Sequence, residues 1–298
     1  MEPDGIILID KPKGITSHSA VNRMRRLLRT QKIGHTGTLD PDATGLLVVL
    51  VGRAAKAAEY ITFDEKEYEA ILRLGIATDT QDTGGEVIFT SDNIPDEKEV
   101  CAAALSFKGE YAQIPPMYSA LKQNGRKLVD LARKGIEVER QPRTVRIENI
   151  EINKINGTDY SLSVVCSKGT YIRTLCDDIG KKLGCGGCMA SLRRIKSGNF
   201  SLENAITLDF AAEMSYDELC GRLKPTESLF YDLPTVTLDG FFLKLCKSGC
   251  EIYQKKIKTD FSVGQRVRLY DEDGFFALGE VREFEEGTAV KSVKVFRL

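Results

Sequence analysis

The run Gly34-His35-Thr36-Gly37-Thr38-Leu39-Asp40-Pro41-Asp42-Ala43-Thr44-Gly45 gathers carboxylates, a histidine and three glycines into one short stretch. Glycines let a backbone approach a ligand closely and take positive φ, and a proline directly after an acid fixes the chain beside its carboxylate. Asp40 is thereby held in a defined place, suited to nucleophilic attack or proton transfer. Asp-Pro and Thr-Gly pairs also build plain turns, so the stretch alone divides evenly between a turn and a site. Asp40-x-Asp42-x-Thr44 matches the acid pair that aspartyl-phosphate phosphohydrolases use with magnesium. That motif follows an apolar strand, whereas residues 32–39 are polar and glycine-rich. Cys185-Gly-Gly-Cys188 has the spacing of half a zinc site. No second half matches it, since Cys246 and Cys250 are spaced differently and have no histidine near them. With no Walker lysine motif and no dinucleotide glycine fingerprint, neither a metal nor a cofactor is expected.

The elements that must position this loop follow from periodicity. Gly5 to Asp10 reads as a short buried strand, and Thr16 or Ser17 caps a helix through Leu28, with Val21, Met24 and Leu28 as its apolar stripe. Gly34 to Thr44 reads as a loop leading into the continuous apolar run Leu46 to Val51, a central strand, followed by a short helix over 53–61. Lys66 to Gly75 alternates as a strand and turns Tyr68, Ala70, Leu72 and Leu74 inward. Asp96 to Phe107 is an amphipathic helix. Residues 113–146 form a basic excursion with its own helix over 127–134. Arg143 to Asn153 and Asp159 to Ser167 make a hairpin around Asn156-Gly157, and Thr170 to Leu183 a helix closed by Gly184. Beyond Leu229 short alternating stretches joined by Asp273-Gly274 predict a compact all-β module. Periodicity thus gives mixed α and β without a regular βαβ repeat.

At 298 residues and 42% hydrophobic, the chain is long enough for one large domain and one small one. No apolar run reaches the roughly 20 residues of a membrane-spanning helix, and the start MEPDGIILIDKPKG turns too early for a signal peptide. A cytoplasmic protein away from membranes is expected, with its eight cysteines reduced. Net charge is −1 and the pI about 6.3, so the sum argues mildly against a polyanionic partner. The distribution argues for one. Arg23, Arg25, Arg26, Arg29 and Lys32 stand together with no acid between them, and eight basic residues from Lys122 to Arg146, Arg126 and Lys127 among them, face only three acids. Either run alone is as consistent with a solvated face; the two together favour a phosphate backbone.

Five stretches, GIILIDKPKGITS, KIGHTGTLDPDATGLLVV, KEYEAILRLGIATDTQDTGG, IPPMYSALKQNGRKLVDLARKGIEV and CSKGTYIRTLCDDIGKKLG, occur in this order over the first 200 residues or so. In them the chain resembles the bacterial tRNA pseudouridine-55 synthases, the tail after Leu229 only weakly. The resemblance implies an α+β fold: a catalytic domain over 1–229 around a mixed, largely antiparallel sheet, with a basic insertion at about 113–146 gripping the tRNA T arm. A small β-rich C-terminal domain over 230–298 is implied to bind RNA. It also implies that Asp40 is the essential carboxylate, paired with Arg173, that Tyr68 and Tyr171 line the uracil pocket, and that Leu192 contacts the base. His35 is implied to stack in the space a flipped base leaves. Lys11 matches a lysine near the site with either a phosphate or a structural role. Arg23, Arg26, Arg126 and Lys127 are then the expected backbone contacts.

Each role has a physical reason. The reaction breaks an N-glycosidic bond and rejoins the same base through C5, so one carboxylate can suffice where a glycosidase needs two. Asp40 would attack the sugar, add to the base or take a ribose proton; the residues do not choose among these. All three need an ionised acid in a cleft that keeps water out, and a guanidinium able to grip it bidentately favours the anion. No protein partner is required. The rival reading is a noncatalytic tRNA-binding or folding-helper protein, which would use the same basic faces without Asp40.

Overall fold

The computed structural model describes residues 2–61 and 65–297. The first strand, β1 (Gly5–Lys11), is followed by α1 (Ser17–Leu27), whose N-cap Thr16 accepts the Ser19 N–H at 3.0 Å. The helix buries Ala20, Val21 and Met24, and Leu28 continues the stripe. Next come β2 (Ile33–Thr36) and β3 (Thr44–Val51). The predicted loop over 34–44 is therefore partly strand: His35 pairs with Val49 and Thr36 with Val48. A polar, glycine-rich run has little intrinsic strand preference, and the buried edge of β3 overrides it. Gly52–Ala57 is a single 3₁₀ stretch, shorter than the helix expected there.

Strand β4 (Glu65–Leu74) keeps the predicted alternation, with Tyr68, Ala70, Leu72 and Leu74 buried. A small hairpin, β5 (Ile76–Thr78) and β6 (Val87–Thr90), precedes α2 (Glu97–Leu105), which a full capping box between Asp96 and Glu99 starts. The basic excursion leaves the sheet after β7 (Gly109–Gln113). It holds a second hairpin, β8 (Lys122–Gln123) with β9 (Arg126–Lys127), and one turn and a half of helix, α3 (Leu128–Ala132), rather than the eight residues expected. Asn124 and Gly125 join the two strands at φ of 49° and 79°, both positive as a type I′ hairpin turn requires. The chain returns through β10 (Arg143–Asn156) and β11 (Asp159–Ser167) to α4 (Ile172–Leu183), which Gly184 ends at φ 72°. Then follow β12 (Gly187–Ser197), β13 (Phe200–Ser201), β14 (Ile206–Thr207), α5 (Leu208–Glu213) and α6 (Tyr216–Gly221).

Among the described residues these strands make a ten-stranded sheet ordered β14-β1-β3-β12-β4-β11-β10-β7, with β2 on β3 and β13 on β12. Its pairs are antiparallel except β1 with β14 and β3 with β12. The β3–β12 seam is short, Thr44 opposite Arg193 and Gly45 opposite Arg194. Because β3 begins there, the Asp40 loop must emerge at the middle of the sheet.

Three apolar clusters hold the sheet. Helices α2 and α4 cover β4, β10 and β11. Helices α1, α5 and α6 cover Ile7, Ile9, Leu47, Val49 and Val51. The opposite faces of β1 and β3, with Ile6, Leu8, Leu46, Val48 and Leu50, meet Leu229, Phe230, Leu278 and Phe296. Burial on both faces explains why residues 46–51 read as an unbroken apolar run.

A separate five-stranded sheet follows: β15 (Thr235–Thr237), β16 (Ile252–Tyr253), β17 (Arg266–Asp271), β18 (Gly274–Phe284) and β19 (Gly287–Val295), ordered β15-β17-β18-β19-β16. It is not all-β as expected. Two short helices, α7 (Gly240–Lys247) and α8 (Gln254–Ile257), pack Phe242, Leu243, Leu245, Cys246 and Ile257 into its core. A sheet this small needs something on its free face, and helices of eight residues or fewer leave too little 3.6-residue periodicity to read from sequence.

Candidate active site

Residues 37–46 are held at several points. Ser17, at the first turn of α1, donates to the Leu39 carbonyl at 3.0 Å and accepts the Leu39 N–H at 2.8 Å. The side chains of Leu39 and Ala43 are buried on either side of Asp40. Lys11, fully buried, donates to the carbonyls of Pro12, Ile15 and Pro41 at 2.9, 2.8 and 3.1 Å. Burial lowers its pKa to about 8, against the pull of Asp42 and Asp40. An ammonium has three donors, and all are used on backbone. Of the two roles left open for Lys11, the structural one fits; there is no donor left for a phosphate. Arg194, also fully buried, donates from Nε to the Leu46 carbonyl at 2.7 Å and from Nη2 to the Gly37 carbonyl at 3.0 Å. It thus grips both ends of the loop.

Arg173 reaches Asp40 from the first turn of α4. Buried Gln113, from β7, fixes that turn by donating to the Tyr171 carbonyl at 3.0 Å and accepting the Tyr171 N–H at 2.8 Å. The Arg173 Nε lies 3.0 Å from Asp40 Oδ2. The grip is not bidentate as expected, because the remaining nitrogens are committed. Nη1 donates to the Thr80 carbonyl at 3.2 Å and lies 3.6 Å from Asp82 Oδ2, and Nη2 donates to the Tyr118 carbonyl at 2.9 Å. Only 6% of the arginine side chain is exposed, against 42% of that of Asp40. The cleft as it stands is therefore open to water at its carboxylate, and dryness has to come from the substrate that covers it.

Partial burial raises the Asp40 pKa above the ordinary carboxylate value. Asp82 and Asp42 push the same way, and Arg173 and Lys11 oppose them. Asp40, Arg173 and Leu192 divide two cavities. The inner one, about 220 Å³, is bounded by Gly37, Lys66, Tyr68, Tyr171 and Thr170. The outer, about 360 Å³, is bounded by Lys13, Asp82, Tyr118, Arg133 and Ser191. Burial raises the Tyr68 and Tyr171 phenol pKa values, so both stay protonated near neutrality. A flat aromatic face and a hydroxyl donor are what Tyr68 offers there.

The structure thus gathers Asp40, Tyr68, Tyr171, Arg173 and Leu192 around one cavity and leaves the other expected residues outside its lining. His35 sits on β2, half-buried, its pKa lowered by burial and by Arg194 and His18, with Nδ1 buried and unpartnered. Arg23 lies 3.9 Å from Asp209 and Lys32 3.0 Å from Glu2; Arg25 donates to the Ile33 carbonyl, and Arg29 lies 5.0 Å over the Tyr216 ring. The α1 basic face is therefore partly neutralised from within, and Arg26 alone of that set has no side-chain hydrogen bond, ionic or ring partner among the described residues. Arg126 and Lys127 project, exposed, from the β8–β9 hairpin. Sequence reading passed over Asp82, Lys66, Gln113 and Arg194. Asp82 lies inside the stretch KEYEAILRLGIATDTQDTGG, where an aspartate before Thr-Gly-Gly reads as a turn. It is one as well: its Oδ1 accepts the Gly84 N–H at 3.0 Å. Among the described residues no three His, Cys, Asp or Glu side chains are arranged to hold a metal ion.

The sheet broken at a central parallel seam, which brings the Asp40 loop to its middle, is shared with known proteins, and the chain's matches make it a pseudouridine synthase. Two solved chains share the architecture at a TM-score of 0.71. One, from an H/ACA RNP bound to a substrate RNA containing 2'-deoxyuridine, is 26% identical and matches 100% of this chain and 86% of its own. The other, from a Cbf5-Nop10-Gar1 complex, is 28% identical and matches 99% and 85%. Residues 25–172 match the TruB family pseudouridylate synthase N-terminal domain, and 173–231 the tRNA pseudouridylate synthase B C-terminal domain. The chain belongs to the TruB family. Its relatives include tRNA pseudouridine synthase B of Clostridium kluyveri, 42% identical over 98% of this chain and 99% of the relative. That of Clostridium tetani is 44% identical over 93% and 95%. The protein is accordingly an RNA-binding isomerase that modifies tRNA, and none of its described helices is long and apolar enough to cross a membrane.

Proposed function

We propose that the modified base is uridine 55 in the T arm (TΨC loop) of tRNA, flipped from its loop into the inner cavity and isomerised with Asp40 as the essential carboxylate. The observation that carries this is the Asp40 carboxylate 3.0 Å from the Arg173 Nε, at a cavity of about 220 Å³ bounded by Tyr68 and Tyr171. The N1–C1′ bond breaks, the uracil turns in place, and C5 bonds C1′; the C5 proton leaves and N1 gains one. Tyr68 gives the turning ring a flat face, Leu192 and Tyr171 confine it, and Arg173 holds the acid ionised. Extruding a base costs a few kcal/mol, and stacking supplies about 1–3 kcal/mol per base. An uncharged His35 ring is suited to fill the vacated space. Incubation of the full chain with an unmodified tRNA transcript is expected to place pseudouridine at position 55, mapped by chemical labelling and primer extension. Modification elsewhere with position 55 untouched would refute the assignment.

The insertion at 113–146 and the module after residue 230 extend the contact along the T arm in this reading, and no further protein is needed. Because internal partners occupy much of the α1 face, the phosphate contacts fall mainly on the hairpin. Arg126→Ala with Lys127→Ala is expected to reduce the slope of log K against log salt by roughly 1 per lost contact. Arg23→Ala with Arg26→Ala should reduce it by less. Equal slopes for all variants in a filter-binding titration would remove the hairpin from the interface.

A further inference from the structure

Lys66 is a cation in the catalytic cavity that the chemistry described so far does not use. It lies two residues before Tyr68 on the same face of β4, about one strand repeat away, and it lines the inner cavity together with Asp40, Tyr68 and Gly37. Its ammonium has no hydrogen bond or ion pair among the described residues, although the neighbouring Glu65 pairs with Lys196 at 3.4 Å. A half-buried lysine beside a second cation is unfavourable on its own. Here burial and the charges of Arg194 and Lys168 all lower its pKa.

The second cation is Arg194. Two of its nitrogens hold the loop carbonyls, but Nη1 is buried with no partner. Both cations converge on Gly37, which has φ of 70°. A side-chain carbon built there would meet Arg194 Nη1 at 3.3 Å and Lys66 Nζ at 3.4 Å. The absence of a side chain at 37 leaves room for both: Lys66 lines the cavity, and Arg194, fully buried, adds its charge from behind. A lysine lining a pocket for an uncharged base, backed by a buried arginine and paired with no carboxylate, has one obvious counter-charge in an RNA substrate: a phosphodiester.

We propose that Lys66, backed by Arg194 and left open by Gly37, binds a phosphodiester flanking the flipped uridine and so fixes the ribose relative to Asp40. This rests on the reading of the inner cavity as the uridine site. A contact made to the backbone rather than to the base lets the uracil turn while the sugar stays in place, which the isomerisation demands.

The test is a cycle between protein and substrate, using T-arm stem-loop RNAs in which the phosphodiester 5′ or 3′ of the target uridine is replaced by a neutral methylphosphonate. Loss of one charge-assisted contact is expected to lower kcat/KM on the order of 10- to 100-fold. Lys66→Met on the native RNA, and the unaltered protein on one of the two neutral RNAs, should each show that loss. Combined, they should lose no more than either alone. Losses that multiply at both linkages, or no loss for Lys66→Met, would overturn the proposal. Failure of the unaltered protein on native RNA would instead overturn the uridine-55 reading. Because Lys66 has no partner to lose, Lys66→Met and Lys66→Gln should melt no lower than the parent, and Lys66→Arg should recover most of the rate. A large drop in Tm for both neutral variants would assign Lys66 a structural role and also reject the idea.

Discussion

Asp40→Asn is expected to lower single-turnover pseudouridine formation on the order of 10⁴-fold or more, with tRNA affinity changed by no more than a few-fold. Asparagine matches aspartate in shape, and its carbonyl can still accept from Arg173 Nε, so the loop clamped by Ser17, Lys11 and Arg194 keeps its form. What disappears is the anion. General acid–base assistance alone contributes about 10²–10⁴-fold, and nucleophilic participation adds to that. Stability should move the other way. The pKa of Asp40 is raised on folding, so the folded state binds that proton more tightly than the unfolded chain, and ionised Asp40 is a net cost above the folded pKa. Asp40→Asn should therefore melt at or above the parent temperature at pH 7, the pattern of a strained functional group. A variant that retains turnover, or that loses it only by unfolding, would remove Asp40 from the chemistry. For the parent the same shift puts the acid limb of the rate profile above the range of an ordinary aspartate, because activity is lost as pH falls through the raised pKa.

The sequence was most legible where a residue's role is set by its near neighbours. Thr16 caps α1 and Gly184 closes α4 because both act within one turn, and Tyr68 faces inward because strand alternation has a period of two. Two pairings stayed hidden: β2 on β3, and β5 on β6 with its exposed Val87, Ile88 and Phe89. In β2 a glycine and polar residues carry a weak local signal, and β5 and β6, three and four residues long, are too short for alternation to show, so the partner edge decides. Long-range polar contacts were hidden for the same reason. Nothing near Arg194 in the chain reveals that it holds Leu46 and Gly37, roughly 150 residues away, and nothing near Gln113 reveals Tyr171. The Asp40–Arg173 pairing was expected only through resemblance to a family. Geometry then corrected its form, since Thr80, Tyr118 and Asp82 occupy the nitrogens that a two-point grip on Asp40 would need.

That shared occupation makes Arg173 and Asp82 a pair with opposed effects. Arg173 lowers the Asp40 pKa and Asp82 raises it. Arg173→Met is therefore expected to move the acid limb of the single-turnover profile to higher pH, and Asp82→Asn to move it to lower pH. The arginine variant should also lose on the order of 10²–10³-fold in rate at the plateau, since orientation of the carboxylate goes with the charge. It should be the less stable of the two. Removing a guanidinium that is only 6% exposed strands the Thr80 and Tyr118 carbonyls, and unsatisfied buried acceptors cost about 1–3 kcal/mol each. A loss of roughly 2–4 kcal/mol by denaturant titration follows, discounted because water reaches this cleft from the Asp40 side. Asp82→Asn keeps an oxygen for the Gly84 N–H and the Thr80 hydroxyl, so its stability should stay close to that of the parent. Limbs that shift in the same direction in both variants would mean that the titrating group is not Asp40. Limbs that do not shift would mean that neither charge is felt there once RNA fills the cleft, and that Arg173 acts only by holding the loops together.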